Sequence, residues 1–307
     1  MFDIAQLHGI IPPMCTPLTD AGEVDLPSVH TLVEHLIGGG VHGIFALGST
    51  GEFASLTGRQ RQAVLVATVA AVGGRVPVLA GILDTSTARC IENGLAAKAA
   101  GVDAVVLAPS FYFRPSQAEL LDLFRAVRAA VGLPLIAYDV PSAVNTKLEC
   151  HTVVQLAAEG TISGLKDSSG ATEGFRRVLL ATRGLSFRAF TGSELIIDAC
   201  LHMGAAGSVP GLGNVFPAEY VQLYNLARAG DWAAAAAIQE RLLACFYELI
   251  TQGDPAFSAS SSALGGFKTG LKLRGAIRST RMGAPLHSFG HAEEARVAEV
   301  LQRHGLQ

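Results

Sequence analysis

One pattern recurs eight times along the first three quarters of this 307-residue chain: a short apolar run followed by a helical stretch. The apolar runs are HGIIPPMC, GIFALGS, VPVLAGI, AVVLAPS, LPLIAYDV, TISGLKD, FRAFTGS and AAGSVPG. They are continuous rather than alternating, as strands are when both faces are covered. The stretches between them have helical punctuation: Asp25 opens LPSVHTLVEHLIGG with Pro27 in the first turn, where proline is tolerated. Eight such units close naturally into a (β/α)8 TIM barrel of about 250 residues. Residues 1–229 are read as the barrel and 230–307 as a C-terminal helical extension. An open doubly wound sheet would need a glycine fingerprint after the first strand, and PPMCTPLTD is not one. The small-residue segment GDPAFSASSSALGG, 253–266, reads as a loop. GGFKT, 265–269, lacks the order and spacing of a phosphate loop and reads as the entry to the last helices.

Composition narrows the function classes. Half the residues are hydrophobic and 16% are charged, enough for a large core and unlike a disordered chain. A net charge of -3 with no run of Lys and Arg gives no footprint for nucleic acid. The nine histidines form no HxH or HExxH pair, so no metal site is expected. From Ala63 to Leu83 the only charge is Arg75, but Gly73, Gly74 and Pro77 break that window into a helix end and a new strand, so no membrane span is expected. Five scattered cysteines without a CxxC suit buried apolar positions in a reducing compartment. The first residues, MFDIAQLHGIIPPMC, have no basic n-region or signal-peptide core. The expected location is the cytoplasm.

In a barrel of this kind, chemistry sits at the carboxyl ends of the strands. Those ends read GSTGEF (48–53), PSFYFRPS (109–116), YDVP (138–141), LKDSSG (165–170), TGSE (191–194) and SVPGLGN (208–214). Hydroxyls, phenols and one lysine gather there, without a carboxylate pair. Strand alternation puts Ile162, Gly164 and Lys166 on one face. If that face points inward, Gly164 leaves room for the lysine. Partial loss of water there disfavours the charged amine, and a neutral amine forms Schiff bases with carbonyls. Position alone fits equally well a lysine paired with its neighbour Asp167. Tyr138, ending the adjacent strand, is placed to shuttle a proton; it is equally a rim aromatic with its hydroxyl on a backbone carbonyl. In GSTGE, Ser49 and Thr50 offer hydroxyls, and amides between glycines can hold a carboxylate, although a plain glycine turn has the same composition.

Together GSTGEF, the RPS after the fourth strand, YDVP, GLKDSSG and GAAGSVPGLGNVFP resemble the dihydrodipicolinate synthase / N-acetylneuraminate lyase family of class I aldolases, in order and over nearly the whole chain. The resemblance implies a homotetramer acting on a small-molecule 2-oxo acid, with no cofactor beyond the covalent Schiff base. It implies that Lys166 carries the Schiff base and Tyr138 shuttles the proton, with Ser49 and Thr50 in its relay. Gly48, Ser49 and Thr50 would bind the 2-oxo acid carboxylate, Val209 would lie against it, and Gly192, Ser193 and Glu194 would face the rest of the substrate. Tyr112, or Phe111 in its place, would reach across a subunit interface. The sequence also departs from the synthase pattern. Ala143 stands where synthases carry an arginine for the second substrate's carboxylate, and alanine offers no such grip. Asp139 follows the tyrosine where the family usually has asparagine, and Asn145 stands where many lyases have glycine. The expected activity is a Schiff-base lyase or aldolase on a pyruvate-type, sugar-acid-derived substrate. The alternatives on the same site are 4-hydroxy-tetrahydrodipicolinate synthase, a deoxy-sugar-acid dehydratase and a catalytically silent 2-oxo acid binder.

Overall fold

A computed structural model describes residues 3–305. Among the described residues, eight parallel strands form one sheet: β1 (Gly9–Ile10), β2 (Ile44–Ala46), β3 (Val78–Gly81), β4 (Ala104–Leu107), β5 (Leu135–Asp139), β6 (Gly164–Asp167), β7 (Arg188–Thr191) and β8 (Gly207–Ser208). Their order is β1-β8-β7-β6-β5-β4-β3-β2. The sheet closes through the chain just after β1. Pro13 bridges Phe45 of β2 in parallel, the Phe45 N–H donates to the Pro12 carbonyl at 3.0 Å, and the Met14 N–H donates to the Phe45 carbonyl at 2.9 Å. The expected (β/α)8 barrel is therefore present. Closure leaves no unpaired edge.

Local signals set the helices that wrap it. The Asp25 side chain caps Leu26–Gly38. Thr57 with Gln60, and Ser116 with Glu119, form capping boxes on Gly58–Val72 and Gln117–Val131. Gly73, Gly101 and Gly132 end three helices in the left-handed conformation. The apolar window around Arg75 is split at that first glycine, and no described helix is long and apolar enough to cross a membrane.

After the last barrel helix, Pro217–Ala229, come Trp232–Leu249, Ala259–Leu273 and His291–Arg303. The segment read as a loop at 253–266 is in part helical: Ser258 accepts a hydrogen bond from the Ser261 N–H and starts a helix at Ala259. GGFKT lies inside that helix. Its glycines are close-packing positions. A methyl at Gly266 would come within 2.7 Å of the Leu249 carbonyl, and one at Gly265 would meet the Phe289 ring at 2.4 Å. Lys268 of the same run is wholly buried and pairs with Glu52 at 2.5 Å. Its ammonium also donates to the Arg281 carbonyl at 2.6 Å. The ion pair ties the extension to the loop after β2, so the extension forms the roof over the barrel's carboxyl end.

Candidate active site

β5 and β6 are paired in register with Tyr138 opposite Lys166. Both side chains are buried. The Lys166 ammonium lies 4.0 Å from the Tyr138 ring centroid and 4.9 Å from that of Phe45 on β2. Asp167 is not the lysine's partner. Alternation turns it to the other face, where it accepts from the Ser169 N–H at 2.8 Å and hydroxyl at 2.6 Å. Gly164 has a different reason from the one expected: a methyl there would meet the Arg188 carbonyl of β7 at 2.5 Å. Glycine admits the neighbouring strand rather than making room for Lys166.

The lysine opens into a cavity of about 240 Å³. Ser49, Thr50, Tyr138, Ser168, Gly192 and Val209 line its floor and sides, and Phe246, Ser260, Ala263, Leu264 and Phe267 of the helical extension line its roof. Burial pushes the Tyr138 phenol up. The Lys166 charge and hydrogen bonds from Ser168, Ser49 and Lys166 outweigh that and hold it below the ordinary tyrosine value. The hydroxyl that reaches Tyr138 from GSTGE is thus that of Ser49, while Thr50 lines the cavity beside it. Among the described residues, no intramolecular hydrogen bond takes up the Ser49 or Thr50 N–H. Gly48 lets this loop pass over Phe45, whose ring a methyl would meet at 2.8 Å.

The loop after β7 divides its residues. Gly192 is at the lysine: a methyl there would stand 2.1 Å from the Ser168 Oγ and 3.0 Å from the Lys166 Cε. Ser193 lies in a separate crevice against Asp167 and Cys200. Glu194 borders the cavity, but its carboxylate is committed to the loop after β8. It accepts from the Gly211 N–H at 2.8 Å, the Leu212 N–H at 3.0 Å and the Tyr220 hydroxyl at 2.7 Å. Burial pushes it up to about 7, against those hydrogen bonds and the Lys166 charge. Tyr112 is 86% exposed on its own chain, with φ +84°, and stands clear of the cavity. Phe111 packs edge-on against Phe53 at 6.3 Å.

Two of the departures from the synthase pattern have local explanations. Asp139 forms an ion pair with Lys147 and accepts from the Leu148 N–H at 3.0 Å, so its charge braces the segment after β5. Asn145 has φ +56°, a conformation asparagine tolerates better than most residues. Ala143 lies at the mouth of an adjoining cavity. The residues that sequence reasoning missed are Ser168 and the roof. Ser168 carried a signal, since it lies two positions after Lys166 on the same strand face. The roof carried none, because its residues are distant in sequence and mostly apolar.

Comparison with known proteins gives a consistent picture. The model of the dihydrodipicolinate synthetase family matches residues 6–304. A 4-hydroxy-tetrahydrodipicolinate synthase of Phenylobacterium zucineum is 33% identical over 281 residues, 90% of this chain and 94% of that protein. The dihydrodipicolinate synthase of Bacteroides thetaiotaomicron superposes with a TM-score of 0.91 at 36% identity, covering 97% of this chain and 98% of that one. A prophage protein of the same family from E. coli K12, solved in complex with pyruvate, superposes with a TM-score of 0.90 at 30% identity over 98% and 99% of the two chains.

Proposed function

The chain belongs to the dihydrodipicolinate synthetase family, whose members are lyases of the class I aldolase type, and we propose that it acts on a pyruvate-type 2-oxo acid through a Schiff base on Lys166. The observation that carries the reading is the buried contact between Lys166 and Tyr138 on adjacent strands. The lysine nitrogen attacks the keto carbon, and water leaves as the imine forms. Tyr138 moves the protons that this requires. Its phenol is held below its ordinary value, which suits it to take a proton from the amine and return one to the departing oxygen. Ser49 and Ser168 hold the phenol in place. The Ser49 and Thr50 N–H groups receive the 2-oxo acid carboxylate, and Val209 packs against the bound acid. The iminium is the electron sink, so the reaction draws on no separate cofactor. Tyr112 projects from its own chain toward a second copy in a homotetramer.

The test is reductive trapping. Incubation with pyruvate and borohydride is expected to add one reduced pyruvate, mapped to Lys166 by mass spectrometry, and Lys166→Ala is expected to take up none and to lose turnover. An adduct on another lysine, or full activity in Lys166→Ala, would overturn the assignment.

A further inference from the structure

We propose that the half of the substrate beyond the 2-oxo acid is apolar: an aldehyde with a hydrocarbon or aromatic body, joined to or released from the carbon next to the keto group. This rests on the Schiff-base reading above and adds the substrate class to it. The reacting cavity adjoins a second one of about 290 Å³, and the two share Ser49, Ser260 and Leu264 as lining residues. The walls of the second cavity are Phe53, Leu83, Phe111, Val144, Leu264 and Leu286. Phe53 and Phe111 meet edge to face at 71°. At this size the cavity has room for one ring or a short branched chain.

Its charge pattern excludes the acidic alternatives. No Lys, Arg or His is among the lining residues, and Ala143 stands at the mouth. The one charged lining residue is Glu52, and both of its oxygens are committed: one to Lys268 at 2.5 Å, the other accepting from the Gly283 N–H at 2.7 Å. A carboxylate or phosphate entering here would find no cation among the lining residues, and the one carboxylate there is already paired with Lys268 and offers it nothing, an unfavourable burial. A polyol also fits poorly. The side-chain hydroxyls on offer are those of Ser49, Ser55 and Ser260, and Ser49 is already bonded to Tyr138. Hydroxyls without partners are costly to bury, whereas methylenes and rings gain from contact with these walls. The proposal therefore departs from the sugar-acid expectation drawn from sequence, on the strength of the apolar lining.

The bonds balance as an aldol addition. Tyr138, left as phenolate once it has protonated the departing water, takes one C3 proton and turns the Lys166 iminium of pyruvate into an enamine. Its C3 attacks the aldehyde carbon, one C–C bond forms, and the carbonyl pair moves to the aldehyde oxygen, which takes a proton from Tyr138. Water then hydrolyses the iminium and releases a 4-hydroxy-2-oxo acid. Cleavage is the reverse.

The test measures kcat/KM with pyruvate and four aldehydes: benzaldehyde, isobutyraldehyde, glyceraldehyde and succinate semialdehyde. The two apolar aldehydes are expected to be preferred by about tenfold or more, the discrimination that apolar contacts supply. Ala143→Arg, at an exposed position that accepts the longer side chain, is expected to shift the preference toward succinate semialdehyde. Preference of the wild type for glyceraldehyde or succinate semialdehyde overturns the proposal, as does a Lys166–pyruvate adduct that consumes none of the four. Absence of the adduct on Lys166 is a different failure, that of the underlying Schiff-base reading.

Discussion

Glu194 couples the stability of this barrel to pH in a direction opposite to that of a salt-bridged carboxylate. Burial raises its pKa from the ordinary 4.5 to about 7, against hydrogen bonds from Tyr220, Leu212 and Gly211 and the charge of Lys166. Between those two values the folded chain holds a proton that the unfolded chain has released. Folding stability therefore falls as pH rises through that window, and the loss is complete above the folded value. One pKa unit corresponds to about 1.4 kcal/mol, so a rise from 4.5 to about 7 is worth about 3 kcal/mol. The perturbation is Glu194→Gln. The amide oxygen can still accept from Gly211 and Leu212, and its NH2 can donate to the Tyr220 oxygen, but the side chain no longer titrates. Urea unfolding at pH 5 and pH 8 supplies the assay. Relative to the variant, the wild type is expected to lose about 2 to 3 kcal/mol of stability between the two pH values. The same wild-type-to-variant difference at both would refute the reasoning, because Glu194 would then titrate alike in the folded and unfolded chains.

Three further outcomes follow from the same contacts. Lys268→Met leaves Glu52 buried without its partner and is expected to cost about 3 to 5 kcal/mol in urea unfolding; pairing it with Glu52→Gln should recover much of that loss, and an unchanged midpoint in the single variant would show that the pair is not buried. Tyr138→Phe keeps the ring over Lys166 but removes the hydroxyl proposed to carry the proton, so kcat should fall by about 10²–10⁴-fold while thermal stability holds; wild-type turnover would remove Tyr138 from the proton path. If Tyr112 reaches a second copy, sedimentation velocity should report a tetramer and Tyr112→Ser should lower turnover without lowering the melting temperature, whereas a fully active monomer would count against that role.

The fold was legible because it rests on a pattern that does not depend on contact details. Eight continuous apolar runs with helical stretches between them have few ways to bury both faces of every strand, and the barrel is one that leaves no edge. The core of the site was legible for a related reason. Strand alternation puts Lys166 and Tyr138 on defined faces, and register between adjacent strands brings them together. Errors arose where composition and environment diverge. The run SASSSALGGFKT looks like a loop because serine and glycine weaken helices, yet Ser258 caps the helix and the glycines lie where Leu249 and Phe289 approach too closely for a side chain.

What the sequence determined by itself was periodicity and therefore fold class, strand ends and therefore the rim that carries the candidate site, and the lysine–tyrosine pair on that rim. Only the tertiary structure decided which groups were already spoken for. Asp167 turned to Ser169, Glu194 to the loop after β8 and Tyr220, and Glu52 to Lys268, which is 216 positions away along the chain. It also roofed the cavity with the helical extension and gave the neighbouring cavity apolar walls from segments scattered between Phe53 and Leu286. Alternation and capping act over a few residues and so can be read locally. Whether a buried charge is free or committed, and what a substrate meets beyond the lysine, depends on through-space contacts at ångström range, which sequence separation does not encode.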